Sequence, residues 1–213
     1  MPAAPVFVRY LDLSALSGPI TPPSSVAEHV QHYTHASDRL RSAAVWRLLQ
    51  KLVEELSPGL PFSPRFLPSG KPVLEGIYIS LSHSGNLVCA AASSQPVGVD
   101  VEQMKPRNLD SLARRCLSVG EFRRYQQAED SLSFFYQHWT AKEACAKLTG
   151  AGLVGFGAEL ELLEDGTICS FPARHRLLHD AAQAPYWLCA VGGEPCMITK
   201  TTTFFPEVTD ETC

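Results

Sequence analysis

Hydrophobic residues four positions apart define the first long element of the chain. The stripe consists of Leu40, Ala44, Leu48, Leu52 and Leu56. Residues at this spacing return to the same face of an α-helix, so the stripe predicts a helix over Ser37–Leu56. Pro58 and Gly59 follow directly and are typical helix stop signals. The sequence therefore predicts a long helix with one buried face in the first third of the chain.

A second periodic stretch, spaced by four and three residues, predicts another long helix. It runs through Phe134, His138, Ala141, Cys145 and Leu148. This spacing is typical of a buried helical stripe, and the predicted helix extends over Ser131–Leu148. Two shorter helices are predicted before it, at Leu109–Cys116 and Val119–Gln127.

Short runs rich in β-branched and apolar residues, bounded by turn residues, predict the strands. They are Val6–Leu11, Tyr78–Ser82, Leu87–Ser93, Val97–Glu102, Glu159–Leu163, Thr167–Arg174, Trp187–Gly192 and Met197–Thr203. Asp165 and Gly166 are typical of a hairpin turn between two of these strands. The order of strand, helix and strands occurs twice, which predicts an α+β fold in two halves, residues 1–102 and 103–213.

The predicted strand Val97–Glu102 carries two carboxylates on one face. Valines alternate with the other residues of this strand, and successive side chains of a strand point to opposite faces. Asp100 and Glu102 therefore share the face opposite the valines, about 6–7 Å apart at the backbone. Two anions this close repel unless a cation lies between them, and hard oxygen ligands suit Mg²⁺ or Mn²⁺. Taken alone, the strand also fits a polar face that meets water.

The second long helix adds a third carboxylate and a cation. Glu143 and Lys147 are four residues apart and share a flank, with Trp139 one turn earlier on the same side. Within the helix, a surface Glu–Lys pair is an equally good interpretation. Its combination with Asp100 and Glu102, about 40 residues upstream, favours a site for a divalent cation and a phosphate ester.

These residues resemble the signature of the Sfp-type (surfactin-synthetase-activating) class of 4′-phosphopantetheinyl transferases. The family pattern is Gly-[Ile/Val]-Asp-x-Glu, then, after a spacer, [Phe/Trp]-[Ser/Thr/Cys]-x-Lys-Glu-[Ala/Ser]-x-x-Lys. The matching segments are Gly98–Glu102, Trp139–Lys147, the Leu81–Gly85 motif, the Gly70–Pro72 motif and Arg41. They occur in family order. The chain departs from the pattern at Ser80, where the family often has Asn.

The resemblance implies two pseudo-symmetric α+β halves with the active site at their interface. It also implies transfer of 4′-phosphopantetheine from coenzyme A to a serine of an apo acyl or peptidyl carrier protein, leaving adenosine 3′,5′-bisphosphate. Asp100, Glu102 and Glu143 would hold Mg²⁺, with Mn²⁺ as the other option. Glu143 and Lys147 would be catalytic, with Glu143 or a metal-bound water as the base. The implied coenzyme A-binding residues are Arg41, Lys71, Ser82, His83, Lys142 and Lys147.

Charge is unevenly distributed along the chain. Residues 103–127 hold six basic and two acidic side chains, a net charge of +4 in a chain of −4, so the remainder carries −8. One interpretation is a solvated helix face, and the other is a dock for an acidic carrier protein. The second interpretation places the carrier near Arg114, Arg115, Leu117 and Phe122.

Composition excludes several other classes of protein. The 213 residues are 45% hydrophobic and 19% charged, which is ordinary for a soluble globular protein. A net charge of −4 argues against a general nucleic-acid binder, and no apolar run is long enough for a transmembrane helix. The seven cysteines are scattered and form no Cys-x-x-Cys pair, as in proteins of a reducing compartment. We expect a cytoplasmic monomer.

Two other functions are compatible with the same residues. One is a Mg²⁺-dependent hydrolase of coenzyme A or another pyrophosphate, in which the site activates water; the basic, partly apolar segment 107–125 argues against it. The other is a non-catalytic module that binds carrier proteins. A binding role would not require the complete set of Asp100, Glu102, Glu143 and Lys147, which argues against this second alternative.

Overall fold

The structure is a computed structural model, and it describes residues 4–16, 18–151, 159–168 and 170–201. The helices are α1 (Ala27–Gln31), α2 (Ala36–Leu56), α3 (Asp110–Cys116), α4 (Val119–Gln127) and α5 (Ser131–Thr149). The strands are β1 (Val6–Asp12), β2 (Arg65–Phe66), β3 (Pro72–Val73), β4 (Tyr78–Ser84), β5 (Leu87–Ser93), β6 (Gly98–Gln103), β7 (Thr167–Ile168), β8 (Phe171–His179), β9 (Pro185–Val191) and β10 (Cys196–Lys200).

The strands form two four-stranded sheets, so the fold is a mixed α+β fold, as predicted. The first sheet has the order β10-β1-β5-β4, with β10 parallel to β1 and the other neighbours antiparallel. The second sheet has the order β6-β9-β8-β7 and is antiparallel throughout. Strands β2 and β3 form a separate small hairpin.

The two sheets lie between the two long helices, so the core has four layers. Helix α2 packs on β4 and β5, with Leu52 and Val88 in one buried cluster. The opposite face of the first sheet meets the second sheet in another cluster, which contains Val8 and Val99. Helix α5 packs on β6 and β9, with Ala144 against the outer face of the second sheet. This arrangement buries the valine face of β6 and directs its other face towards α5.

Both long helices confirm the periodic patterns in the sequence. Helix α2 starts one residue before the predicted helix and ends where predicted, and Ala44, Leu48 and Leu52 are buried. Leu40 is 41% exposed, so the buried stripe begins one turn later than its spacing predicted. Helix α4 has the predicted bounds, and α3 and α5 differ from them by one residue.

The strand predicted at Glu159–Leu163 is wrong, because these residues form no strand in the structure. Two of their backbone groups bond to side chains: Leu162 N donates to Glu121 Oε1 at 2.9 Å, and the carbonyl oxygen of Leu160 accepts from Lys142. Leu163 N donates to the carbonyl oxygen of Thr167 at 2.9 Å, across the turn that follows. The predicted turn is present, with Gly166 in the left-handed region at φ 77°. It leads into β7, which is separate from β8 although one strand was predicted there.

The division of the chain near residue 102 stays a prediction. Strand β6 precedes this boundary almost entirely but pairs with β9 in the second sheet. Strand β10 follows it but pairs with β1 in the first sheet. Each sheet therefore takes one strand from across the predicted boundary. The predicted strand Met197–Thr203 ends at Lys200 in the structure, and residues 202–203 lie outside the described part of the chain.

The cysteines differ in their bonding state. Cys89, Cys116 and Cys189 are buried free thiols. Cys145, in α5, is disulfide-bonded, which the expectation of reduced thiols did not include. Among the described helices, none is long and apolar enough to cross a membrane.

Candidate active site

Asp100 is the centre of the site predicted from the sequence. It lies on the face of β6 opposite the valines, and it is only 3% exposed. Its Oδ1 accepts hydrogen bonds from Ser82 Oγ at 2.6 Å and from Lys147 Nζ at 2.7 Å. Its Oδ2 is buried and has no hydrogen-bond partner within the described part of the chain. A buried carboxylate oxygen without a partner is costly unless another group binds it.

Lys147 reaches Asp100 because α5 approaches β6 at contact distance. A Cβ atom on Gly98 would lie 1.8 Å from the carbonyl oxygen of Ala144, so only glycine fits at this position. Burial lowers the pKa of Lys147, but the charge and hydrogen bond of Asp100 outweigh it, and the net effect is a raised pKa. Lys147 is therefore a stable cation at the centre of the site.

Glu102 lies next to Asp100 on the same face of β6. Its Oε2 accepts from Ser84 Oγ at 2.9 Å, and its Oε1 accepts from Trp139 Nε1 at 3.3 Å. Burial, followed by the charge of Asp100, raises the pKa of Glu102 above its ordinary value. The predicted placement of two carboxylates on one face of this strand is thus what the structure contains.

Glu143 faces this pair of carboxylates from α5. Burial raises its pKa to about 7, the charge of Asp100 adds to the rise, and Lys147 opposes it. The side chain lines the cavity described below, one helical turn before Lys147. The negative charge of Asp100 thus acts on both Glu102 and Glu143, which places the three carboxylates within electrostatic range of one another.

The donor chemistry of these residues fits a hard divalent cation. Carboxylate oxygens are the ligands that Mg²⁺ prefers, and the buried Oδ2 of Asp100 lacks a partner among the described residues. Burial, followed by the charge of Asp100, raises the pKa values of Glu102 and Glu143, and a bound cation would favour their charged forms. Within residues 4–16, 18–151, 159–168 and 170–201, no three His, Cys, Asp or Glu side chains form a ready-made ligand cluster. The carboxylates therefore do not converge on one point in this structure.

A cavity of about 450 Å³ opens beside these carboxylates. Five of the predicted site residues line it: Lys71, Ser82, His83, Glu143 and Lys147. Aromatic rings form another part of its wall, where His29 stacks on Phe66 with centroids 4.3 Å apart, and Trp46 lies against both. The cavity thus combines cationic, anionic and aromatic groups. His29, Trp46 and Phe66 were not predicted as site residues.

His83 and Arg41 are neighbours at the cationic side of the site. Burial lowers the pKa of His83, and the positive charges of Arg41 and Lys147 lower it further. Neutral His83 can both donate and accept hydrogen bonds. Arg41 is not among the described residues that line the cavity. Its guanidinium forms an ion pair with Asp38, and its side chain is 25% exposed. It lies close enough to influence His83 but is directed to its own helix.

Lys71 connects the loop after β2 to the end of α5. Its Nζ donates to the carbonyl oxygen of Leu148 at 2.6 Å, and burial lowers its pKa. A lysine at this point also complements the negative end of the helix dipole. Gly150 ends α5 in the left-handed region, with φ 76°, which brings the chain past the Lys71 side chain.

Lys142 does not lie in the cavity, which corrects the role implied for it by the resemblance. Its side chain is fully buried and forms an ion pair with Glu121 of α4, with Nζ 2.8 Å from Oε2. It also donates to the carbonyl oxygen of Leu160. Its ammonium therefore stabilises the protein interior, on a different side of α5 from Glu143 and Lys147.

The residues of the predicted docking surface on α3 and α4 differ in exposure. Arg114 and Arg115 are exposed, and the guanidinium of Arg114 lies 4.9 Å above the ring of the half-buried Phe122. Leu117 is only 2% exposed and packs in the core, because it follows α3 on the side that faces Tyr125 and the other core residues. It is unsuitable as a docking residue. Val119, which the sequence analysis did not select, is 72% exposed.

Two serines of β4 that bond to β6 were not predicted as site residues: Ser84, which holds a carboxylate, and Ser80, which bonds to the backbone. Ser84 donates to Glu102, while Ser80 Oγ accepts from Val99 N at 3.0 Å, which gives this departure from the family pattern a structural contact. The signal that could have found them is the alternation of serines at positions 80, 82 and 84, which puts all three on one face of β4.

Comparisons with known proteins agree with this site. The family model described as the 4′-phosphopantetheinyl transferase superfamily matches residues 96–191, a segment that contains Asp100, Glu102, Glu143 and Lys147. The chain is 41% identical over 107 residues to the 4′-phosphopantetheinyl transferase psf-1 of Bacillus pumilus, a match that covers 46% of this chain and 45% of that protein. It is 35% identical over 89 residues to the 4′-phosphopantetheinyl transferase Sfp of Bacillus subtilis, covering 39% of each.

A longer match exists with an enterobacterial protein. The chain is 32% identical over 142 residues to the 4′-phosphopantetheinyl transferase AcpT of Salmonella typhimurium, which covers 65% of this chain and 71% of that protein. The chain spans less than half the length of the Bacillus relatives that it matches. The match to most of AcpT, together with the family match over residues 96–191, shows that the chain belongs to the 4′-phosphopantetheinyl transferase superfamily.

Proposed function

We propose that this protein transfers 4′-phosphopantetheine from coenzyme A to a serine hydroxyl of an apo acyl or peptidyl carrier protein. One observation carries the proposal: Asp100, with a buried oxygen that lacks a described partner, meets Lys147 at the wall of a cavity. Glu143, Lys71 and His83 line the same cavity. Oxygen ligands for a divalent cation and cationic groups for phosphates thus share one cleft.

The reaction is a single displacement at phosphorus. The serine oxygen of the carrier forms a bond to the phosphorus that bears pantetheine, and the bond from this phosphorus to the bridging oxygen breaks. Adenosine 3′,5′-bisphosphate leaves with the bridging oxygen and its electron pair, and the serine proton passes to a base. Such transfers depend on positioning and on neutralising the charge of the phosphates.

Asp100, Glu102 and Glu143 are the residues that would hold Mg²⁺, with Mn²⁺ as an alternative. When bound, the ion would neutralise charge on the pyrophosphate and help to orient it. The buried Oδ2 of Asp100 supports this assignment, as does the mutual repulsion of the carboxylates. The requirement for a metal is thus part of the proposal.

Glu143 accepts the serine proton, and Lys147 stabilises charge on the reacting phosphates. Glu143 lines the cavity one helical turn from Lys147, so both side chains can reach the same bound group. Lys147 is held by Asp100, which keeps the ammonium charged and oriented. These two residues are the proposed catalytic pair.

Coenzyme A occupies the cavity with its phosphates against the cationic side. Lys71, Ser82 and His83 line this side, and the charge of Arg41 acts on His83. To bind a phosphate, Lys71 exchanges the carbonyl oxygen of Leu148 for a phosphate oxygen, and Arg41 releases or shares Asp38. Both exchanges leave the helices in place because only long side chains move.

The carrier protein docks on the surface formed by α3 and α4. Arg114 and Arg115 supply positive charge for an acidic partner, and Phe122 supplies apolar contact. Val119 replaces the buried Leu117 in this role, since its side chain is 72% exposed. We propose that the protein acts as a monomer.

Incubation with Mg²⁺, coenzyme A and an apo carrier protein, followed by intact-mass measurement of the carrier, tests the proposal. We expect a mass gain of one phosphopantetheine group. The Glu143→Gln variant should lose transfer by at least about 100-fold, a typical cost of removing a positioned acid or base, while keeping its circular dichroism spectrum. Glu161→Gln, an exposed acid paired with Arg124, is the matched control and should retain activity.

The outcomes separate the candidate functions. Loss of coenzyme A without a mass gain on the carrier would support hydrolysis and contradict transfer. Binding of the carrier with both reactants unchanged would support a non-catalytic module. Full transfer by the folded Glu143→Gln variant would remove Glu143 from the catalytic pair.

A further inference from the structure

Three serines of β4 face β6 where the edges of the two sheets meet. Strand β4 ends the first sheet and β6 ends the second, and no backbone ladder joins them among the described pairings. Ser80, Ser82 and Ser84 occupy alternate positions of β4 and so share one of its faces. We call these three residues the serine row. All of them form hydrogen bonds to β6.

The members of the serine row bond to different kinds of atoms. Ser80 Oγ accepts from the backbone N–H of Val99 at 3.0 Å and touches no carboxylate. Ser82 Oγ donates to Asp100 Oδ1 at 2.6 Å. Ser84 Oγ donates to Glu102 Oε2 at 2.9 Å and also accepts from Gln103 N at 3.1 Å. Two of the three hydroxyls are thus directed at the acidic residues of the site.

We propose that Ser82 and Ser84 are positioning residues that orient Asp100 and Glu102 for a divalent cation. This inference rests on the metal site of the proposed function. Ser82 donates its single hydroxyl hydrogen to Asp100, so this role takes the place of a bond from that hydroxyl to a coenzyme A phosphate.

The bonds to Asp100 determine which of its oxygens is left for a ligand. Ser82 and Lys147 both donate to Oδ1, from a strand and from a helix. Two donors on one oxygen restrict rotation of the carboxylate and leave Oδ2 as the acceptor without a described partner. The Ser82 bond is as short as hydroxyl bonds to ionised carboxylates usually are. Without the hydroxyl, Lys147 alone would orient the group.

Glu102 is held in a related way by two elements. Ser84 donates to Oε2 from β4, and Trp139 Nε1 donates to Oε1 at 3.3 Å from α5. Glutamate has more rotatable bonds than aspartate, so it loses more order when a hydrogen bond is removed. Hydrogen bonds to ligating carboxylates typically affect metal affinity by about 10- to 100-fold.

Ser80 separates this positioning role from a purely structural one. It belongs to the same row and links the same two strands, but its only bond to β6 in the described structure is to the backbone. If the serine row only joined the sheets, removing Ser80 would matter as much as removing Ser82 or Ser84. Ser80→Ala is therefore the matched control.

Titration with Mn²⁺, followed by the loss of the free-ion electron paramagnetic resonance signal and without coenzyme A, tests the proposal. We expect Ser82→Ala and Ser84→Ala each to raise the Kd for Mn²⁺ about tenfold or more. Ser80→Ala should bind Mn²⁺ as tightly as the unmodified protein. Ser84→Thr keeps a hydroxyl at the same position and should restore most of the affinity lost in Ser84→Ala.

The possible failures are distinguishable. If Ser82→Ala and Ser84→Ala bind Mn²⁺ like the unmodified protein while Asp100→Asn does not, the positioning role is wrong and the proposed metal site stands. If Ser80→Ala weakens binding equally, the row acts through the junction of the sheets, and the proposal is overturned. If the unmodified protein does not bind Mn²⁺, both the positioning role and the metal site are overturned, while carrier modification can still be measured by mass.

Discussion

Lys142 and Glu121 form an ion pair to which solvent has no access. Nζ lies 2.8 Å from Oε2, and both side chains are 0% exposed. Glu121 also accepts from the backbone N–H groups of Ser118 and Leu162. The pair thus connects α4, α5 and the segment that leads to β7. Burial lowers the pKa of Lys142, and Glu121 opposes this shift.

We expect Lys142→Ala to unfold the protein readily rather than to impair coenzyme A binding. Removing the ammonium leaves the Glu121 carboxylate buried without its partner, which typically costs about 3–5 kcal/mol of the free energy of unfolding. Urea denaturation followed by circular dichroism measures this loss. Glu161→Ala breaks the exposed pair with Arg124 instead, and it should cost at most about 1 kcal/mol. A stable Lys142→Ala variant with weakened coenzyme A binding would contradict the structural role.

Gly98→Ala should separate α5 from β6. The added methyl group would meet the carbonyl oxygen of Ala144 at 1.8 Å, and backbone cannot yield as a flexible side chain can. We expect a loss of several kcal/mol in stability, of the order of other severe overpacking changes, and weaker Mn²⁺ binding because Lys147 and Asp100 move apart.

Gly120→Ala is the matched control for this change. Gly120 lies in α4, and an added Cβ would meet two side-chain atoms, Glu161 Oε1 at 3.2 Å and Ser118 Oγ at 3.8 Å. Alanine is favoured over glycine in helices, so the control should be neutral or slightly stabilising. Equal thermal stability of Gly98→Ala and the unmodified protein would refute the close-packing argument.

Charge reversal on the docking surface should raise the KM for the carrier protein. We expect Arg114→Glu with Arg115→Glu to raise this KM at least about tenfold at low salt, and less at high salt, because screening weakens the attraction to an acidic partner. The KM for coenzyme A should not change, since neither residue lines the cavity.

The control is Lys200→Glu, which reverses a single positive charge at the exposed end of β10. Val119→Asp tests the apolar part of the surface, because its side chain is exposed and its replacement leaves the core intact. If the KM for the carrier is unchanged in both the double arginine variant and Val119→Asp, the carrier does not dock on this surface.

His175 should make the protein less stable in acid. Burial lowers its pKa to about 4, although its hydrogen bond to the carbonyl oxygen of Gln137 opposes the shift. The unfolded chain therefore binds a proton below about pH 6.5 that the folded chain refuses until about pH 4. Stability contributed by the neutral ring is complete above about pH 6.5 and is lost as the pH falls towards 4.

The size of this effect is at most about 3 kcal/mol, the equivalent of the full pKa shift. Urea midpoints measured from pH 8 to pH 4 for the unmodified protein and for His175→Gln should converge as the pH falls. The two curves differ at pH 8 only through packing and the lost hydrogen bond. Parallel curves over the whole range would show that His175 does not carry the pH dependence.

The sequence predicted the placement of Asp100 and Glu102 on one strand face correctly because strand geometry is local. Alternation alone places Asp100 and Glu102 on one face, whatever the strand packs against. The burial of Lys142 was missed, although it lies four residues after His138 and three before Cys145, on the buried stripe of α5. The family resemblance implied a coenzyme A contact for Lys142 instead. Lysine is almost never fully buried unless it is paired, and the partner here, Glu121, is remote in sequence.

Other features depend on contacts that no local pattern encodes. Leu117 and Val119 are both apolar and only two positions apart, but the first is buried and the second is exposed, depending on how α3 and α4 pack on α5. Residues 159–162 alternate glutamate and leucine as a half-buried strand does, but the side chains of Glu121 and Lys142 take two of the backbone bonds of this segment. Tertiary contacts override strand propensity here.

The exchange of strands between the two sheets has a consequence for folding. A fragment that stops near residue 102 lacks β10 and leaves β1 as an open edge, while a fragment that starts there lacks β6, the partner of β9. Open edges bind other chains and favour aggregation. Neither fragment is therefore a self-sufficient folding unit, and the intact chain should unfold in one cooperative transition. Two such fragments would be expected to reassemble only when mixed, each supplying the strand that the other lacks.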